Sequence, residues 1–165
     1  MFVIQKILSI LIFLICILNL KLVSAGEEYV GYSDYLGGDR NYLMTYGHQD
    51  SAMYMDKRTL SIEKYDPPIY VISFDEVMVH QAAFGNTDIA WREKYFYLYN
   101  WDERKMYCLY KDSWHYISPT GNRIETSGLV AGEMAFYIAY KMKFYGSKFE
   151  TAFTDGIYLI VDGAI

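Results

Sequence analysis

Glu93-Lys94-Tyr95-Phe96-Tyr97-Leu98-Tyr99-Asn100-Trp101 is the stretch that decides the fold class. Tyr95, Tyr97, Tyr99 and Trp101 recur at every second position with Phe96 and Leu98 between them. A period of two marks a strand whose successive side chains point to opposite faces. Asp102-Glu103-Arg104 then turns the chain into Met106 to Lys111, and Asp112-Ser113 turns it again into Trp114 to Ile117. Short polar turns between strand-like runs predict a three-strand antiparallel meander.

Toward the N-terminus, Ile69-Tyr70-Val71-Ile72-Ser73-Phe74 is apolar almost without a break and continues toward Val79. Such a run suits a central strand covered on both faces. Pro67-Pro68 forces a turn ahead of it, since proline fixes φ and restricts the preceding residue. Ala52 to Met55 and Leu60 to Tyr65 read as two short strands of a hairpin around Asp56-Lys57-Arg58. Shorter strands are expected near Tyr29 to Tyr32 and Tyr42 to Thr45, and Gln81 to Ile89, with Gly85-Asn86, reads as a loop.

Downstream the period changes. Leu129 to Tyr145 places Val130, Met134, Tyr137 and Ile138 near one side at helical spacing, while Ala131, Ala135 and Ala139 allow close approach to a sheet. Glu133 near its start, Lys141 and Lys143 near its end and Gly146 just past it suit the helix dipole and a glycine cap. Phe149 to Phe153 and Ile157 to Val161, around Thr154-Asp155-Gly156, predict a terminal hairpin. The expected architecture is α+β: a mainly antiparallel bent sheet of six to eight strands with one C-terminal helix packed on it, formed by residues 26–165 as a single domain.

Residues 1–25 have the three parts of a secretory signal peptide. Lys6 precedes an apolar run from Ile7 to Leu18, and the segment closes on the small-residue pattern Val23-Ser24-Ala25, so cleavage is expected between Ala25 and Gly26. A secreted or extracytoplasmic location follows, at the cell surface or in a periplasm, with the membrane touched only through this segment. Its loss removes Lys6 and Lys21 and no acid, taking the formal charge from -5 to -7. Nucleic acid is thereby disfavoured as a partner, because phosphate neutralisation needs clustered basic residues. Cys16 leaves with the segment, so Cys108 has no partner for an intramolecular disulfide.

One short motif points to a family. Tyr54-Met55-Asp56-Lys57-Arg58-Thr59-Leu60 resembles the aromatic-aliphatic-Asp-x-x-Ser/Thr-aliphatic signature of small exported bacterial proteins of the surface-adhesin E type. The strands Tyr95 to Trp101 and Met106 to Tyr116, and the helix Glu133 to Tyr145, are similar in style to such exported proteins. The resemblance implies a strand pair followed by aromatic strands, and it brings no catalytic residues.

The sequence offers little for catalysis. Its only histidines are His48, His80 and His115; Cys108 and His115 fall on neighbouring strands, yet no nucleophile elbow or cysteine-protease signature surrounds the thiol. His48-Gln49-Asp50 offers two metal-type ligands, with Asp34 and Asp39 as further candidates, but a polar turn is the commoner meaning of such a run, and no metal or other cofactor is expected. Asp75, Glu76, Asp102 and Glu103 are adjacent in pairs and point to opposite faces of a strand. The candidate binding residues are Tyr95, Tyr97, Tyr99 and Trp101, joined by Tyr107, Tyr110, Trp114 and Tyr116, which offer apolar area with polar tips to a protein or glycan at the cell surface. The competing expectation is that this stripe packs beneath the helix. The chain thus reads as a non-enzymatic exported or surface-associated interaction protein; a small exported inhibitor or immunity-type protein is the alternative.

Overall fold

Six strands pair in sequence order, each antiparallel to its neighbours: β1 (Tyr42–His48), β2 (Ser51–Asp66), β3 (Ile69–Val79), β4 (Ile89–Asn100), β5 (Lys105–Tyr110) and β6 (Ser113–Ile117). The computed structural model describes residues 28–120, 123–145 and 152–164. Among the described residues two helices follow the sheet, α1 (Arg123–Tyr140) and α2 (Ala152–Gly163), giving an α+β fold built mainly on an open antiparallel sheet. The signal segment with Ala25 and Gly26 lies outside the described residues, as does Gly146.

Alternation along the strands divides the side chains between two faces. One face carries Leu43, Met55, Ile72, Phe74, Tyr97, Tyr99, Met106 and Ile117, all buried with Leu129, Val130, Met134, Ala135 and Phe136 of α1 and with Ile157 and Val161 of α2. A smaller core sits on the opposite face at the β1–β2 end, where Ala52, Tyr54, Val77 and Val79 meet Leu36 and Ala82 from two short 3-10 turns. The helices therefore cover one face only. At their closest approach Gly132 of α1 meets the sheet, where an added Cβ would stand 2.8 and 2.9 Å from the Tyr97 ring.

Several expectations require correction. Asp56-Lys57-Arg58 does not turn the chain: β2 is one continuous strand of 16 residues. Its register passes from Asp56↔Asp75 to Ser61↔Ser73, so Lys57 to Leu60 bulge out opposite Phe74 alone. Asp56 and Thr59 build that bulge. The Thr59 hydroxyl donates to the Asp56 carbonyl (2.8 Å) and accepts from the Asp75 amide (2.7 Å), so the Asp-x-x-Thr spacing satisfies backbone groups that the broken ladder leaves open. Tyr29 to Tyr32 is not a strand, because Gly31 adopts φ 82 and the Val30 and Gly31 amides both donate to the Ala83 carbonyl.

The helix also differs from expectation in both its bounds and its polar residues. It starts at Arg123 and stops at Tyr140, where Lys141 takes the left-handed conformation (φ 56) and its amide donates to the Tyr137 carbonyl. Glu133 is consequently mid-helix and fully buried, remote from the first turn. Its carboxylate receives the Phe144 amide (2.6 Å), the Tyr145 amide (3.2 Å) and the Tyr158 hydroxyl (2.6 Å). One acid thus holds the chain as it leaves α1 and anchors α2 to it. Of the expected terminal hairpin, residues 149–151 lie outside the described residues and the rest is α2, because Ile157, Tyr158 and Val161 recur at helical spacing and are buried while Leu159 faces solvent. That packed stripe outweighs the Asp155-Gly156 turn signal.

Candidate functional site: the open face of the sheet

The sheet's alternation settles which aromatic residues reach solvent. In β4, Tyr95, Tyr97 and Tyr99 point to the helices, as does Trp101 just after it. Tyr97 and Tyr99 are fully buried; Tyr95 and Trp101 are half-buried and pack against the core. The Tyr97 and Phe74 rings stack at 5.3 Å, Trp101 stacks on Phe136 at 5.5 Å, and the Arg104 guanidinium lies 3.5 Å over the Trp101 ring. The stripe thus comes together as the packing surface for α1.

Phe96 and Leu98, of opposite parity, belong to a different surface. Register pairs Val71 with Leu98, Leu98 with Tyr107 and Tyr107 with Tyr116, a row running across β3 to β6. Leu109 pairs with Trp114 one row further along. None of these side chains, nor Phe96, belongs to either apolar core. Trp114 is 41% exposed and Tyr116 48% exposed, with the Tyr107 and Tyr116 rings tilted together at 5.6 Å. Among the described residues, no element packs over this face.

Sequence reasoning grouped Tyr107, Trp114 and Tyr116 with the β4 tyrosines; the structure places them on the opposite side. The cause is register. Cys108, not Tyr107, pairs with Tyr97, and a shift of one residue exchanges the two faces of a strand. Tyr110 stays on the helix side with His115, its ring 5.9 Å from the imidazole.

A charged network borders the open face on its own side of the sheet. The buried Asp56 carboxylate receives Arg58 Nε (2.7 Å), Arg58 Nη2 (2.8 Å) and Arg92 Nη1 (3.0 Å). Arg92 also reaches Asp75 (3.3 Å) and the Tyr42 hydroxyl (2.9 Å), and the Arg58 guanidinium lies 4.7 Å over the Tyr42 ring. Burial pushes the Asp56 carboxyl up, but the hydrogen bonds from Arg58 and Arg92 outweigh it and hold the group below the usual carboxylate range. The buried Ser73 hydroxyl donates to Glu63 nearby (2.6 Å). An aromatic centre with a polar border is the anatomy of a recognition surface.

The groups with reactive chemistry lie elsewhere and do not combine. Cys108 and His115 are direct cross-strand partners, but burial pushes the Cys108 thiol up to about 11, leaving it protonated near neutrality and unactivated as a nucleophile. Glu76, on the helix side, is raised to about 7 by burial; its bond from the Thr45 hydroxyl opposes that shift, and the facing Glu93 charge adds to it. His48 and Asp50 stand at the β1–β2 turn, with the Gln49 carbonyl between them accepting a bond from the Tyr32 hydroxyl (2.5 Å). Among the described residues no three His, Cys, Asp or Glu side chains gather as a metal site would require, and no helix is long and apolar enough to cross a membrane.

Comparisons of the chain with protein-family models, with curated proteins and with solved structures find no match.

Proposed function

We propose that this is a non-catalytic exported or surface-associated protein that binds a protein or glycan through the open face of β3 to β6. The observation that carries the reading is the uncovered row Val71, Leu98, Tyr107 and Tyr116 with Trp114 beside it. Monomeric domains rarely leave contiguous apolar surface open without a use for it, and Trp and Tyr offer large rigid contact area with a polar tip. Export rests on the tripartite segment 1–25. The resemblance of Tyr54 to Leu60 to the surface-adhesin E type supports a role at the cell surface. A protonated Cys108 favours binding over catalysis.

The reading is tested by affinity capture from cell-surface protein and glycan extracts with chain 26–165. Wild type should retain a specific partner, Trp114→Ala/Tyr116→Ala should lose it, and Tyr110→Ala, which alters the other face, should keep it. Equal retention by all three proteins would overturn the assignment of the face.

A further inference from the structure

On the helix side of the sheet, but at the opposite end of the strands from the Tyr70–Phe136 contact, a cavity of ≈ 200 Å³ opens between the β1–β2 turn and the end of β3. Its walls include His48, Met53 and Met78, with Tyr46 and Gln49. Met53 and Met78 are direct cross-strand partners, so both side chains rise from adjacent positions on one face. Neither belongs to an apolar core, whereas Met55, Met106 and Met134 do. Both are half-buried, and His48 is exposed at the rim. These are thioethers on a cavity wall, not side chains filling a gap in the core.

The surroundings orient the donors. Trp91, which faces Met78 across the β3–β4 ladder, donates its indole N–H to the Met78 sulfur at 3.0 Å. The His48 imidazole lies against the Tyr46 ring with centroids 6.1 Å apart and planes 10° apart. Outer groups of this kind fix the direction of ligating atoms. Among the described residues, no carboxylate or thiolate lines the cavity. Hard divalent cations take charged oxygen ligands, and zinc takes thiolate, imidazole or carboxylate. A neutral set of two thioethers and one imidazole suits a soft monovalent ion.

We propose that Met53, Met78 and His48 form a binding site for a soft monovalent cation of the Cu(I) type. The site is independent of the open face, and its failure would leave that reading untouched. The test is titration of chain 26–165, labelled with ¹³C at the methionine methyls, with silver nitrate in chloride-free buffer and with Cu(I) under anaerobic conditions. The Met53 and Met78 methyl signals should shift together and saturate at one equivalent, Trp91 fluorescence should change in parallel, and the Met55 and Met106 signals should stay in place. Met53→Leu and Met78→Leu conserve volume and should each weaken binding at least tenfold, while Met142→Leu and Cys108→Ala leave it unchanged. Unshifted Met53 and Met78 methyls in the unmodified chain would overturn the site. So would binding abolished by Cys108→Ala or retained in full by Met53→Leu/Met78→Leu.

Discussion

The Tyr99 hydroxyl donates a 2.7 Å hydrogen bond to the Gly132 carbonyl, tying β4 to α1 where helix and sheet come closest. A buried phenol needs a partner, and here it finds one because residue 132 has no side chain to hold the helix away. An added Cβ would collide with the Met106 sulfur as well as the Tyr97 ring.

Gly132→Ala should therefore destabilise the fold. Alanine gains about 1 kcal/mol over glycine in an open helix interior, but overpacking a tight core costs about 1–3 kcal/mol, and at this contact the second effect wins. Urea unfolding of wild type and variant measures the difference; a more stable variant would show that helix and sheet have room to spare.

Glu76 makes stability depend on pH. Its carboxyl moves from 4.5 to about 7 on folding, chiefly through burial, so the native state holds the proton more tightly than the unfolded chain. The contribution is fully present below pH 4.5 and is lost as pH rises through 7. Glu76→Gln, which cannot ionise, should match wild type near pH 4 and exceed it by about 3 kcal/mol at pH 8. Parallel stability curves for the two proteins across that range would contradict the burial of a raised carboxyl here.

Cys108 should react slowly with thiol reagents in the native protein. Its thiol is half-buried and pushed up to about 11 by burial, and the thiolate is the reactive form. Iodoacetamide labelling at pH 8 should trail that of the urea-unfolded chain by well over tenfold; equal rates would mean an exposed, activated thiol.

Lys141 closes α1 in a left-handed conformation, with its ammonium 5.3 Å from the Tyr137 ring centroid. A side chain at such a φ costs about 1–2 kcal/mol, and an exposed cation–π contact returns about 0.5–1 kcal/mol. Lys141→Gly should thus raise stability slightly, by up to about 1 kcal/mol, as read from the thermal midpoint. A clear loss would show that the ammonium contact outweighs the backbone strain.

The meander was legible because its signals are local. Alternation from Tyr95 to Trp101, with polar turns at Asp102 to Arg104 and around Asp112, gives β4, β5 and β6 without reference to the rest of the chain, although the second turn falls on Lys111-Asp112 and Ser113 already opens β6. The faces were not legible to the same degree. Whether Tyr107 joins Tyr97 or opposes it depends on a one-residue choice of register, which no single strand carries in its own sequence. Asp56-Lys57-Arg58 misled for a related reason: a polar trio between apolar runs looks the same whether it turns the chain or bulges a strand. Only the bonds from Thr59 to Asp56 and from Asp75 to Thr59 distinguish the two. In α2 the local turn signal at Asp155-Gly156 lost to burial of Ile157 and Val161 against the core. Gly132 carries no signal in the sequence beside Ala131 and Ala135, since its role lies in what stands opposite it. The open-face candidates were present as Phe96 and Leu98, the residues of the other parity in the stretch that first revealed the strand.

The central claim, that one face of the sheet holds the fold together while the other recognises a partner, is tested most directly by hydroxyl-radical footprinting of the chain alone and with its captured partner. Trp114, Tyr116 and Tyr107 should lose reactivity together on binding, while exposed Tyr110 and Leu159, which lie off that face, should stay unchanged. Protection at Tyr110 or along α2, with Trp114 and Tyr116 still fully reactive, would contradict the account.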